Sequence, residues 1–404
     1  MLELGGEFGR WVPSRVQGCG EILALIRDGR ARTVGDLAET MDMARSTAMQ
    51  RVDQLVADQL VVADRPQVVN GRGRPAVSYR FNADAGCVLV AQVGMTGSRV
   101  ASAALDGRII AQELDPSPIE AGPDAVRRRL LEALTRVLEA SGMGRDSLWG
   151  IGIGWPAAVE LSGQDGAGRD WDPAPLVAAL QAEFGARVFV DADVNLLALG
   201  EHHAGWRDTE VLLCVKVGTV IGCGTVVGGE IVHGSQQVAG AIGHLPVAGD
   251  TTPCWCGNVG CLDAVASGGA LLRQARAEGL DVADLHDLVA RANAGVPDAA
   301  RAIRTAGRQI GTVLSYAVNL LNPGVIAFWG YLAEADTELL AGVRETIYRL
   351  SLPAATHSLQ LVRATVGDSA GLGGAATMVI SQVLAPGAVD ERLAKGAPGP
   401  DWQQ

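Results

Sequence analysis

The sequence predicts a layered α/β protein with a small winged helix-turn-helix head at its N-terminus. Three observations predict it. After Asn82, strand-like apolar runs alternate with helical ones, the pattern of sheets covered by helices. Before Asn82, three short amphipathic segments lead into two apolar strands around a Gly-rich tip. Three cysteines, Cys254, Cys256 and Cys261, crowd one short loop, a spacing that reads as metal binding in a reducing compartment.

In the head, Ile22, Leu23, Leu25 and Ile26 form one apolar stripe, and Gly29 stops that helix. Thr33 is a good N-cap for a second helix over Val34–Thr40, with Asp36 early in it. A tight connection, Met41 to Ala44, leads to a third helix from Arg45 to about Gln59. Ala48, Val52, Leu55 and Val56 are its expected inward face; Arg45, Thr47, Gln50, Arg51 and Gln54 point outward. Asp42 and Ala44 stand where a glycine and a Ser or Thr cap are the usual choice. Leu60-Val61-Val62 and Val77 to Phe81 then flank the tip Asn70 to Pro75 as a wing.

A helix of this kind enters the major groove with its N-terminal residues against base edges. Here those are Arg45, Ser46, Thr47, Gln50 and Arg51. Arg reads guanine bidentately, Gln reads adenine, and Ser or Thr holds phosphate. Arg72 and Arg74 in the wing tip suit a minor groove or a phosphate clamp. The alternative for any one of these side chains is a solvated polar face. Charge follows the same division. Residues 1–82 hold 11 Arg, no Lys and 10 acidic residues, a net of +1, so the whole-chain charge of −12 leaves −13 on the rest. An acidic body behind a near-neutral head restricts DNA contact to the head.

At 404 residues the chain suits two or three domains. The expected division is a head over 1–82, a body over 83–385 and a loose, Pro- and Gly-rich tail over 386–404. Apolar runs such as Val211–Val215 are far shorter than the roughly 20 residues of a membrane span. Without an N-terminal apolar signal core, a cytoplasmic protein is expected, at the nucleoid when bound to DNA, with no membrane partner. In the body, Pro297 to Leu321 reads as one long helix with Ile303, Ile310, Leu314 and Val318 on one side. His244 precedes Cys254, Cys256 and Cys261, and three thiolates plus one imidazole fill a closed tetrahedral Zn²⁺ site. With every position taken by protein, such a zinc is structural. The bland alternative is three buried thiols and a surface histidine. Cys19, Cys87, Cys214 and Cys223 read as small apolar residues.

The loop Cys254-Trp-Cys-Gly-Asn-Val-Gly-Cys-Leu262 resembles the Cys-x-Cys-Gly-x-x-Gly-Cys-Leu pattern of the ROK family of repressors, open reading frames and sugar kinases. Gly152-Ile-Gly-Trp-Pro156, Asp193-Val-Asn195 with Gly200-Glu201, Val217 to Gly224, Asn322-Pro323, Gly330 and Gly371 to Ala376 are similar to further motifs of that family. The resemblance implies a two-lobed actin-like body of the ribonuclease H/hexokinase type, a homodimer or homotetramer, and a sugar-type effector. With the winged head it implies a regulator, usually a repressor, on a palindromic double-stranded operator. It further implies that Asp193 stands at the kinase base, and that Asp193, Asn195, His244 and Asp263 face the sugar, His244 also holding zinc.

The sequence departs from the family at chemically costly places. The first phosphate turn, Asp-x-Gly-Gly-Thr in the family, reads Gln92-Val-Gly-Met-Thr96, which removes the carboxylate that organises magnesium and adds the bulk of Met95. Val220 replaces a glycine in the second turn. Ala192 and Ala241 replace two polar sugar contacts, and Asp263 shortens a third. The expectation is a regulator without kinase activity, in which Asp193 is a vestigial base or a helix-terminal carboxylate. The competing readings are an ATP-dependent sugar kinase with an appended head, and a regulator that has lost sugar sensing.

Overall fold

The structure is a computed structural model that describes residues 17–64, 77–156 and 172–395. In the head, helices α1 (Cys19–Arg27), α2 (Val34–Thr40) and α3 (Arg45–Ala57) turn their apolar stripes to a common centre. Ile22, Leu23, Leu37, Ala48, Val52 and Leu55 are buried there. Thr33 caps α2 reciprocally: the Asp36 N–H donates to its hydroxyl, and its own N–H donates to the Asp36 carboxylate. The turn into α3 does require a left-handed residue, which Asp42 supplies at φ 48°. Ala44 starts α3 with no side-chain cap. Val56 is exposed rather than inward, because it lies about 70° round the helix from the mean direction of Ala48, Val52 and Leu55. Strands β1 (Val61–Ala63) and β2 (Tyr79–Phe81) pair antiparallel as the base of the wing. Its tip, with Arg72 and Arg74, lies outside the described residues.

The body repeats one plan twice. The first sheet contains β3 (Cys87–Gly94), β4 (Gly97–Ala104), β5 (Ile109–Asp115), β6 (Leu148–Trp155) and β7 (Val188–Ala192), in the order β5-β4-β3-β6-β7. Helices α4 (Pro123–Ala140) and α5 (Ala174–Phe184) bury their apolar faces in this lobe. Helix α6 (Asp193–Gly205) leads into the second sheet: β8 (Val211–Val217), β9 (Ile221–Val227), β10 (Glu230–Ile231), β11 (Val325–Trp329) and β12 (Gln360–Arg363), in the order β10-β9-β8-β11-β12. In each sheet three antiparallel strands come first, and two later strands add in parallel to the first. This duplication is the two-lobed actin-like architecture.

Between β10 and β11 lie α7 (Leu262–Ala266), α8 (Gly268–Ala277), α9 (Leu285–Asn293) and α10 (Pro297–Leu321). In α10, Ile303, Ile310, Leu314 and Val318 are all buried, as their spacing predicts. Helix α11 (Asp336–Leu350), the short α12 (Pro353–Thr356), α13 (Ala370–Val383) and α14 (Pro386–Ala394) complete the chain. Helix α13 packs on α6 between the lobes, and small residues permit the approach. A side chain at Gly374 would collide with the Leu196 carbonyl, and one at Gly200 with the Ala370 carbonyl. The loose tail expected from residue 386 is corrected in part. Residues 386–394 are a helix, because Pro386 suits its first position and Val389 and Leu393, four apart, bury one face. Among the described residues no single helix is long and apolar enough to cross a membrane.

Candidate functional site

The Cys-rich loop is held by geometry that its glycines make possible. Gly257 and Gly260 adopt φ 92° and 70°, and a side chain at Gly260 would collide with the Asp250 carbonyl. Backbone bridges join Pro246 to Cys261 and Pro253 to Val259. The donor atoms of His244, Cys254, Cys256 and Cys261 consequently all lie within 4.8 Å of one another. Cys254 Sγ is 3.7 Å from His244 Nδ1, and Cys256 Sγ is 3.7 Å from Cys261 Sγ. A tetrahedral zinc with bonds of about 2.3 Å to sulfur sets its ligands about 3.8 Å apart. The four side chains fit such an ion. The Trp255 ring meets the His244 ring edge-on at 4.7 Å and fixes its plane. Burial pushes the Cys261 thiol up to about 12.

The interlobe cleft is lined by both hairpin turns, Gly94 to Gly97 and Gly218 to Val220, and by Gln92, Arg99, Asp193, Lys216, Trp329, Tyr331, Arg363 and Asp368. Asp193 opens α6 and is buried. Its Oδ1 accepts from the Val194 N–H at 2.9 Å, and its Oδ2 accepts from Lys216 Nζ at 2.5 Å. Both oxygens therefore have donors, one of them an ammonium that is itself only 12% exposed. Gln92 sets its amide against Gly371 at the start of α13, where any side chain would strike it. Met95 lines the cleft, yet also packs against the first lobe's core. Arg99 and Asp368 form an ion pair from one lobe to the other.

The residues that the family resemblance places near a sugar are tied down as well. Asn195 donates to Asp191 Oδ1 at 2.8 Å, and His233 Nε2 lies 2.7 Å from Asp191 Oδ2. The Asn195 Oδ1 atom is buried with no hydrogen-bond partner among the described residues. Asp263 accepts from the Ile221 N–H at 2.7 Å and from Trp255 Nε1 at 3.4 Å, which links the second turn to the zinc loop. Burial raises its carboxyl above the usual range, against the lowering effect of those bonds. Glu201 is fully buried and clamps the turn before α13 through Thr365 and Val366.

On the head, Arg45, Ser46 and Gln50 are exposed and Thr47 is half-buried along the first turns of α3. Arg51 does not project with them, a correction to its expected outward position. It is half-buried, its guanidinium lies against Gly18, and it donates to Met43 Sδ at 3.4 Å. The left-handed Gly18 leaves room over α1 that the long side chain fills. Gln54 turns to Asp58, donating at 2.6 Å. Lys216, Asp191 and His233 were missed by sequence reasoning. Lys216 did leave a signal: it is one of two lysines against 31 arginines, and the one charged residue in the apolar strand Val211–Val217.

The ROK family pattern matches residues 89–382, both lobes and the zinc loop together. The chain belongs to the ROK family. Among relatives, the xylose repressor of Caldicellulosiruptor bescii is 24% identical over 380 residues, covering 90% of this chain and 95% of its own length. The glucokinase of Halalkalibacterium halodurans is 29% identical over 310 residues, but covers 72% of this chain and 94% of its own. A crystal structure of a ROK family transcriptional regulator, a homologue of the Escherichia coli MLC protein, superposes with a TM-score of 0.77 at 24% identity. It covers 95% of this chain and 99% of that one. The ROK kinase thus matches a body-sized share, whereas the repressor and the regulator fold extend over nearly the whole chain.

Proposed function

We propose that this ROK protein is a DNA-binding transcriptional regulator, acting as a repressor, with a cleft that senses a sugar or sugar derivative and does not transfer phosphoryl groups. The observation that carries the reading is the exposed face of α3: Arg45, Ser46 and Gln50 stand free at the N-terminal end of the helix that a winged head offers to a major groove. Thr47 borders that face. Arg51 contributes by bracing α3 on α1, and Arg72 and Arg74 supply phosphate or minor-groove contacts from the wing. Two heads on a homodimer or homotetramer would read a palindromic operator. A structural Zn²⁺ on His244, Cys254, Cys256 and Cys261 would stiffen the loop behind the second hairpin turn.

The cleft supports a regulatory role over a catalytic one. Lys216 and the Val194 N–H each take one acceptor site on the two oxygens of Asp193, so the protein itself orients this carboxylate, and a substrate hydroxyl would compete with an ammonium for it. Gln92 offers no charge for a metal, and Arg99–Asp368 closes a contact across the phosphate side. The retained Asp193 and the likeness to a glucokinase favour the second reading, an active sugar kinase. Genome-wide mapping of bound DNA tests the proposal. The expected result is a set of sites sharing an inverted repeat, lost in Arg45→Ala. Bound sites that share no motif, or that survive Arg45→Ala together with Gln50→Ala, would refute it. A thermal-shift screen of sugars, sugar acids and sugar phosphates then separates a sensing body from one that only oligomerises.

A further inference from the structure

Helix α1 has no cap of its own. Its N-cap residue is Gly18, at φ 83°, which carries no side chain to accept from the first N–H groups. Those donors are satisfied from the opposite end of the chain. Asp390, on α14, accepts from the Gly18 N–H through Oδ2 at 2.6 Å and from the Gly20 N–H through Oδ1 at 2.7 Å. The carboxylate is 8% exposed. A negative group at a helix N-terminus is favoured by the helix dipole, and its bonds to N–H are charge-assisted.

The contact is tight on both sides. A side chain at Gly20 would collide with the Pro386 carbonyl, so the start of α14 lies directly on α1. The guanidinium of Arg51, from the reader helix α3, lies over the same Gly18 turn, and Cys19 Sγ approaches the Arg51 carbonyl at 3.8 Å. On its other side α14 is fixed to the first lobe. Arg392 stacks over the Trp149 ring at 4.0 Å and donates to the Asp146 carbonyl at 3.3 Å. Val389 and Leu393 share one buried cluster with Ile22, Leu23 and Leu55 of the head and with Val88 and Val379 of the body.

Helix α14 also continues the cleft. It follows α13 after a bend of 63°. The start of α13 carries Gly371 against Gln92, and the preceding Gly367 and Asp368 line the cleft. One helix pair therefore runs from the ligand cleft to the start of the DNA-reading head.

We propose that Asp390 is a positioning residue that locks the head to the body by capping α1, and that the α13–α14 pair is the element through which the state of the cleft sets the orientation of the head. The second half rests on the regulatory reading above; the lock itself does not.

The test uses the full chain, with Asp390→Asn, which keeps the shape and one acceptor, and Gly20→Ala, which keeps Asp390 and displaces α14. Hydrogen exchange followed by mass spectrometry reads α1 directly. Both variants are expected to exchange amides in α1 at least tenfold faster than wild type, with the zinc loop unchanged. Duplexes selected from a random pool by the wild-type protein supply the DNA probe. Against them both variants should bind about tenfold more weakly and lose discrimination against duplexes with one base pair inserted between half-sites. Loss of spacing discrimination marks a loosened head, since a merely unstable head would weaken binding to every spacing alike. Wild-type exchange in α1 together with wild-type spacing discrimination would overturn the proposal. If wild type selects no DNA but α1 still loosens, the lock stands and the regulatory reading falls.

Discussion

The His/Cys₃ loop and the interlobe cleft belong to one family body, yet their polar groups are arranged in opposite ways. In the loop, four donors converge on a point, within 4.8 Å of one another. In the cleft, Asp193 is already bonded to Lys216 and Asp368 to Arg99. Lone pairs left convergent await an external ion. The Asp193 carboxylate is matched to an internal ammonium, and breaking that buried pair leaves a charge without its partner, whereas Arg99–Asp368 is an exposed contact. The difference teaches that the loop presents its donors to an external ion, while the Asp193 carboxylate of the cleft is matched from within.

The largest effect should come from the loop. Cys261→Ser is expected to abolish stoichiometric zinc, measured by elemental analysis, and to lower the melting temperature. A loss of several kcal/mol at roughly 2–4 °C per kcal/mol corresponds to about 10 °C or more. Retained zinc with unchanged melting would place the loop with the ordinary buried cysteines. Next comes the cleft. Lys216→Met strands a buried carboxylate and should destabilise by about 3–5 kcal/mol in denaturant titration, with most of it recovered when Asp193→Asn is added. Two independent, additive losses would break the comparison, because the pair would then not be a unit.

Smaller effects belong to the head. Arg45→Ala should weaken operator binding by about 1–3 kcal/mol, roughly 5- to 150-fold, with melting unchanged. Smallest is Thr33→Ala, at about 1 kcal/mol of stability. It carries a pH signature. The Thr33 hydroxyl and backbone contacts hold the Asp36 carboxyl below its ordinary value. Its contribution is present above the unfolded-state pKa of about 4 and is lost as pH falls through the lower folded value. The gap between variant and wild-type melting should therefore narrow in acid and stay constant near neutrality.

Local order was legible in the sequence. Thr33 and Asp36 announce a capped helix, Val211–Val217 a buried strand, and the cysteine spacing a closed metal geometry, because each signal lies within a few residues. The pairings that decide the site were not. Lys216 meets Asp193 across 23 positions and Asp390 meets Gly18 across 372, and no local rule brings those residues together. Arg51 carries an outward polar identity, yet the missing side chain at Gly18 opens a place for it against α1. The Pro- and Gly-rich composition after residue 385 outweighed the short Val389–Leu393 stripe, which was enough for a helix once the head and first lobe covered it.

The central claim is that the cleft has been withdrawn from catalysis. A coupled assay of ATP consumption with magnesium and a panel of hexoses and N-acetylamino sugars, run on the zinc-loaded full chain, tests it most directly. The account predicts no sugar-dependent turnover above the protein-free background. Turnover that disappears in Asp193→Asn would contradict it.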